Sequence, residues 1–385
     1  MPFVEYGFLP RLSQALFGLA FYLWKTLVPL GLHPAYELPF DFNPFDWPFV
    51  LSGLVVLGVS VALFVARRRW PAGLTSWACY AAMLAPVLGL AQSGPQIVAD
   101  RYTYLSCLAW ALLAGAGLFY LWQRVLYLRL FQGVAVGMLI ALGVLTWRQT
   151  EIWHDSVRLW NYVLAATERS YFKSRVAHNN LGIILGQNAE LEEAIQHYRE
   201  ALRIDPVYAL AHNNLAYALV NRGEVEEAVE HYRRALATDP RLAQAHFGLG
   251  RILAVRGELE GAIDHFRQAA QIDPTDAKSH YNLGLALAIR GELEGAIDQF
   301  RQALRIEPID TKAHYNLGAA LAMRGELEGA IEHFRQALQI DSEYAAAHDS
   351  LGRVLAAQGK KEDADRHFQE ARRIMKSRRA VSASK

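Results

Sequence analysis

The sequence predicts an all-α protein in two differently solvated parts, a polytopic set of transmembrane helices followed by an α-solenoid of helix pairs. Two observations carry this. Uncharged apolar runs long enough to cross a bilayer recur within residues 1–148, and one residue pattern recurs six times at a period of 34 residues within 175–378. Over the 385 residues, 39 Lys and Arg nearly cancel 38 Asp and Glu, leaving +1. So balanced a chain is not built to bind nucleic acid through phosphate neutralisation. Both cysteines, Cys79 and Cys107, lie in apolar runs. They read as small buried hydrophobes and imply neither a disulfide framework nor a thiolate metal site.

The hydrocarbon core of a bilayer needs roughly 20 mostly apolar helical residues. Residues 49–66, 74–91, 105–122 and 130–147 meet that need without a single Asp, Glu, Lys or Arg. Helices of a soluble core would each show a polar face. Orientation follows from the short loops, because Lys and Arg are retained in the cytoplasm. Arg67, Arg68 and Arg69 follow the first span, and Arg124 and Arg129 follow the third. Both loops therefore face the cytoplasm, and everything after Trp147 faces out. Residues 9–28 carry Arg11, Gln14, Gly18, Tyr22 and Lys25 at helical spacing, so this segment reads either as a fifth span or as an amphipathic interfacial helix. Glu5 and the lack of an early basic region or small-residue cleavage site argue against a signal peptide.

Beyond a leading helix or linker at 149–174, the repeats occupy 175–208, 209–242, 243–276, 277–310, 311–344 and 345–378, with a basic tail at 379–385. Each carries a Leu followed by a small residue, as in Leu181-Gly182 and Leu283-Gly284, where two helices must touch. Ala194 and its equivalents precede an aromatic, Tyr198, Tyr232, Phe266, Phe300, Phe334 or Phe368, that fills the gap. Gly223, Gly257, Gly291, Gly325 and Gly359 mark the turn inside a repeat, where a left-handed residue ends the first helix. The first repeat has Asn188-Ala189 there, and Asn tolerates that conformation. Pro206, Pro240, Pro274 and Pro308 break the chain between repeats.

This set of positions resembles the tetratricopeptide repeat. The resemblance implies antiparallel helix pairs stacked into a right-handed superhelix with a concave groove. Such arrays hold partners more often than they catalyse, so the first expectation is an extracytoplasmic scaffold that binds proteins or peptides. Asn180, Asn214, Asn282 and Asn316 share one site on the first helix. In the similar array of O-GlcNAc transferases that site holds substrate backbone, and an amide side chain can both donate to a carbonyl and accept from an N–H. Gly248 and Ser350 break the ladder. His178, His212, His246, His280, His314 and His348 form a second ladder. Its members would stand about 10 Å apart on stacked helices, whereas metal ligands must converge on one ion. A packing role is expected and no metal or cofactor is implied. His197, His231, His265, His333 and His367 lie beside the aromatic site and read as a partly exposed face.

The membrane half carries a second resemblance. Residues 86–105, with Asp100-Arg101-Tyr102-Thr103-Tyr104, and the run from Arg11 to Pro29 look like the membrane region of transmembrane-and-tetratricopeptide O-mannosyltransferase-like proteins. Trp153, Val157, Leu159 and Trp160 fit the helix that leads into the repeats there. The resemblance implies a polyprenyl-phosphate sugar as partner and a catalytic acid in an early outer loop, before the point where this sequence starts. No catalytic residue is therefore expected in this chain. The alternative reading is the carboxy-terminal part of a glycosyltransferase, inactive without its amino-terminal part. On that reading Arg101, with Lys25, would hold a lipid-linked phosphate; otherwise the Asp100-Arg101 pair and its tyrosines anchor a span. The expected location is a bacterial inner membrane, with the repeats in the periplasm.

Overall fold

A computed structural model describes residues 8–27, 36–37, 43–84, 96–98, 137, 144, 147, 155–167 and 174–383. The predicted all-α solenoid is present. Two short strands, β1 (Tyr36–Glu37) and β2 (Gln96–Val98), pair antiparallel as the exception. The chain divides into two units, Met1–Ala218 and Leu219–Lys385.

In the first unit, α1 (Phe8–Leu27), α2 (Trp47–Ala66) and α3 (Pro71–Leu84) share a small core. Ala15 and Tyr22 of α1 pack with Phe49, Val56 and Leu63 of α2 and with Trp77, Tyr80 and Leu84 of α3. Gln14, Gly18 and Tyr22 of the expected polar stripe are buried, whereas Arg11 is exposed. The Tyr80 hydroxyl donates to the Leu19 carbonyl at 3.0 Å, and the Trp77 indole N–H donates to Ser60 Oγ at 3.0 Å. Ser52 and Ser60 hydroxyls donate in turn to the carbonyls of Pro48 and Val56, each at 2.7 Å. Both serine hydroxyls of α2 thus find a partner within the helix.

Among the described residues one helix, Trp47–Ala66, is long and apolar enough to cross a membrane, and only 17% of that stretch is buried. It coincides with the first expected span. The second expected span begins in α3 and continues past Leu84 into residues outside the described set. Those at 105–122 and 130–147 fall outside it, apart from residues 137, 144 and 147. The described residues therefore hold one such helix rather than the polytopic set.

Helix α4 (Ser156–Thr167) occupies the place of the expected leading helix, and the Asp155 carboxylate caps it by accepting from the Val157 N–H at 2.8 Å. The repeats follow: α5 (Arg175–Gln187) with α6 (Leu191–Ile204), and α7 (Ala209–Arg222), within which the division between units falls. The second unit continues with α8 (Val225–Thr238), α9 (Ala243–Val255), α10 (Leu259–Ile272), α11 (Ala277–Arg290) and α12 (Leu293–Ile306). It ends with α13 (Thr311–Arg324), α14 (Leu327–Ile340), α15 (Ala345–Ala357) and α16 (Lys361–Ala383).

Local chemistry ends each helix where the pattern says it should. Gly291 adopts φ 90°, and the next N–H, of Glu292, reaches back to the Leu287 carbonyl at 2.9 Å, closing a Schellman turn. In the first repeat the left-handed residue is Ala189 (φ 67°), not Asn188, so an alanine bears a strain that glycine avoids elsewhere. Between repeats, the Asp273 carboxylate accepts from the Thr275 N–H at 3.0 Å, and Asp205, Asp239 and Asp341 make the same turn. Asp276 then caps α11 through the Ser279 N–H at 3.1 Å.

Within a pair, the small residue is required by contact. A Cβ on Gly284 would sit 2.8 Å from the Phe300 ring, and Gly250 meets Phe266 in the same way. The core of the second unit is continuous through Phe266, Phe300 and Phe334, each about fully buried with its neighbouring Leu and Ala.

Candidate functional site

The first helices of the second unit, α9, α11, α13 and α15, touch one another in sequence. Each leaves one stripe at i, i+3, i+7 and i+11 exposed or half-buried: Gln244, Phe247, Arg251 and Val255 on α9, and Lys278, Tyr281, Leu285 and Ile289 on α11. Helix α13 repeats it with Lys312, Tyr315, Ala319 and Met323, and α15 with Ala346, Asp349, Arg353 and Ala357. Exposure is greatest at the last position, where Val255, Ile289 and Met323 are 90%, 69% and 69% exposed. Three large apolar side chains at equivalent places form an apolar row flanked by half-buried aromatics.

Charge on these helices is one-sided. They carry Arg251, Lys278, Arg290, Lys312, Arg324 and Arg353 against a single acid, Asp349. Acids cluster on the second helices instead, where Glu260 takes Arg290 at 2.5 Å. Glu292 also pairs with Arg290, and Glu326 with Arg324. Arg353 is held by Asp349 at 2.8 Å. The stripe itself keeps Arg251, Lys278 and Lys312, a net positive surface.

The asparagines of the expected ladder lie beside this stripe and are engaged within the protein. The Asn214 amide donates to Asn179 Oδ1 at 3.0 Å, and the Asn316 amide donates to the Tyr281 hydroxyl at 2.8 Å. Each bond joins one repeat to the preceding one. The Asn282 amide donates to the Lys278 carbonyl of its own helix at 2.8 Å, and Asn180 is half-buried. The Asn214 and Asn316 amides thus brace one repeat against the preceding one. The break at Gly248 has a cause: a Cβ there would lie 2.3 Å from the Tyr232 ring.

The two histidine sets, read from the sequence as separate features, meet in pairs. Nδ1 of His178 lies 3.0 Å from Nδ1 of His197, and the corresponding distances are 2.9 Å for His246–His265, 3.2 Å for His314–His333 and 2.9 Å for His348–His367. The second set is half-buried. In the fourth repeat Gln299 replaces the second histidine and lies 2.8 Å from His280. Burial, then the neighbouring imidazole, lowers the pKa of His178 to about 4, and burial foremost lowers those of His197, His265, His333 and His367.

Of the suggested phosphate pair, Arg101 lies outside the described residues, whereas Lys25 is half-buried with its ammonium 5.7 Å from the Phe21 ring centroid.

Comparison with known proteins agrees with the repeat pattern. Family models described as tetratricopeptide repeat match residues 179–243, 213–277, 265–298 and 310–377, and one described as TPR repeat matches 286–325. No curated protein matches the chain. Among solved structures, PilF of Pseudomonas aeruginosa is 25% identical, with a TM-score of 0.47 over 55% of this chain and 97% of that one. YrrB, described as a TPR protein with an unusual peptide-binding site, is 22% identical, with a TM-score of 0.43 over 50% of this chain and 96% of its own. MamA from Desulfovibrio magneticus is 23% identical, with a TM-score of 0.42 over 44% and 96%.

Proposed function

We propose that this chain, whose residues 179–377 belong to the tetratricopeptide repeat family, is a membrane-anchored scaffold that binds polypeptides on the first-helix face of its repeats. The observation that carries the binding face is the exposed row of Val255, Ile289 and Met323 beside Phe247, Tyr281 and Tyr315. A folded helix gains nothing by leaving such residues in water at the same place three times running, and each stands to contribute about 1.5–3 kcal/mol if covered. Arg251, Lys278 and Lys312 favour an acidic segment, and the amide oxygens of Asn282 and Asn316 would accept from its backbone. The partner is thus a polypeptide segment with apolar side chains interspersed with Asp or Glu. A defined peptide array probed with the purified chain tests this: acidic–apolar peptides bind and Ile289→Asp abolishes the preference. Binding by basic peptides instead, or unaltered binding by that variant, rejects the assignment.

The anchor is α2. Leu54, Leu57, Phe64 and Val65 are exposed on it, and Arg67, Arg68 and Arg69 follow at its end. By the positive-inside rule that end faces the cytoplasm. Three further spans at 74–91, 105–122 and 130–147 then carry the repeats to the outside. Protease added to intact spheroplasts checks the topology: the repeats are digested from outside if it is right and protected if it is not.

A further inference from the structure

The paired histidines have a use that packing does not exhaust. In the last repeat, His348 Nε2–H donates to the Ser342 carbonyl at 3.2 Å. A carbonyl only accepts, so this contact fixes the hydrogen of neutral His348 on Nε2 and leaves Nδ1 a lone pair aimed at His367. His246 and His314 are oriented likewise by the carbonyls of Pro240 and Pro308, each at 3.1 Å. An imidazole whose second nitrogen is tied to a backbone carbonyl is the outer-shell arrangement that metal ligands use. The last pair has carboxylates beside it. It opens on a cleft lined by His348, Asp363, Arg366, His367, Gln369 and Glu370. Asp363 and Glu370 lie one helical turn to either side of His367.

We propose that His348 and His367 form a binding site for a divalent transition metal of the zinc class, held by both Nδ1 atoms, with Asp363 or Glu370 completing the shell. Two imidazole nitrogens on a tetrahedral ion stand about 3.3 Å apart, and the observed 2.9 Å needs only a small ring rotation to reach it. The ion replaces the proton shared between the rings, which leaves to solvent. Among the described residues no three such ligands already converge on one point, so a carboxylate must swing in. Asp363 and Glu370 are held only by Arg366 at 2.6 Å and Arg373 at 2.9 Å, exposed pairs that are cheap to exchange.

The other repeats supply internal controls. At His265 and His333 the flanking positions are Gly261 with Gln268 and Gly329 with Gln336, and neither pair of neighbours offers a carboxylate. His178 and His197 are flanked by Glu193 and Glu200, a second copy of the set in the first unit. The test is zinc uptake by the untagged full chain in detergent at neutral pH, with free zinc in the micromolar range. His367→Gln, which copies the natural Gln299, removes one equivalent of zinc and leaves helicity unchanged. Asp363→Asn combined with Glu370→Gln weakens that equivalent about tenfold. Should the wild-type chain take up no zinc, or should His367→Gln leave uptake unchanged, the site is overturned; His348→Gln provides the same readout if His367→Gln does not fold.

Discussion

Helix α2 and the first helices of the repeats both expose large apolar side chains, but in different patterns. On α2 they cover one broad half of the helix, with Val50, Leu51, Leu54, Leu57, Val61, Phe64 and Val65 all exposed and no charge among them, while Phe49, Val56 and Leu63 pack on the opposite half. In the second unit they recur at one place in three successive repeats, at Val255, Ile289 and Met323, with Lys278 and Lys312 at the far end of the stripe and Arg251 one turn from Val255. An uncharged apolar half-face running the length of a helix is what a hydrocarbon solvent would cover. Exposure at one periodic position describes a site. On the proposed reading the same residue types meet lipid in one region and a polypeptide in the other.

The largest effect that could break this contrast is on α2. Leu57→Arg, at a position 62% exposed, should cost about 3 kcal/mol of α2 insertion, read as altered access of a membrane-impermeant label to the 67–69 loop; unaltered access shows that α2 does not face lipid. Next comes packing in the array. Gly284→Val drives a side chain into the Phe300 ring, 2.8 Å from the first added carbon, and should lower stability by about 1–3 kcal/mol in urea unfolding. Ile289→Asp should weaken peptide binding about tenfold and leave the unfolding midpoint in place, since that residue is 69% exposed. A smaller change of opposite sign is expected from Ala189→Gly. Relief of its positive φ should stabilise the chain by about 1 kcal/mol.

The histidines add a pH dependence. His178 has its folded pKa lowered from 6.5 to about 4, chiefly by burial and then by His197 and Arg203, against an opposing pull from Glu200. The unfolded chain therefore binds more protons in that window. Its contribution to stability is intact above pH 6.5 and is lost as pH falls from there towards about 4. His178→Gln should flatten that part of the stability profile in acid titrations followed by circular dichroism.

What was legible in the sequence is what recurs within one repeat. The Leu-Gly, Ala and aromatic positions form contacts inside each helix pair, so the period of 34 displays them directly, and Gly284 against Phe300 confirms the reason for the small residue. Contacts that join two columns of the pattern were harder to see. His178 and His197 are 19 residues apart, as are His348 and His367, yet that constant offset marks a pair only once the two helices are known to lie antiparallel at that height. The Asn ladder was visible, but its bonds run to the preceding repeat at an offset of 35, as from Asn316 to Tyr281. The apolar row escaped notice because its other members are Gln187, Asn221 and Ala357, so only the three middle repeats carry it. Asn188 looked like the residue able to take a left-handed turn, and Ala189 takes it instead because the turn falls one residue later.

Photo-crosslinking in intact cells tests the central claim most directly. A photoreactive residue at position 289 on the first-helix face should capture a polypeptide through an acidic–apolar segment. The same residue at position 298, exposed on second helix α12, should capture none. Equal capture from both positions, or capture from 298 alone, would contradict the first-helix face as the binding surface.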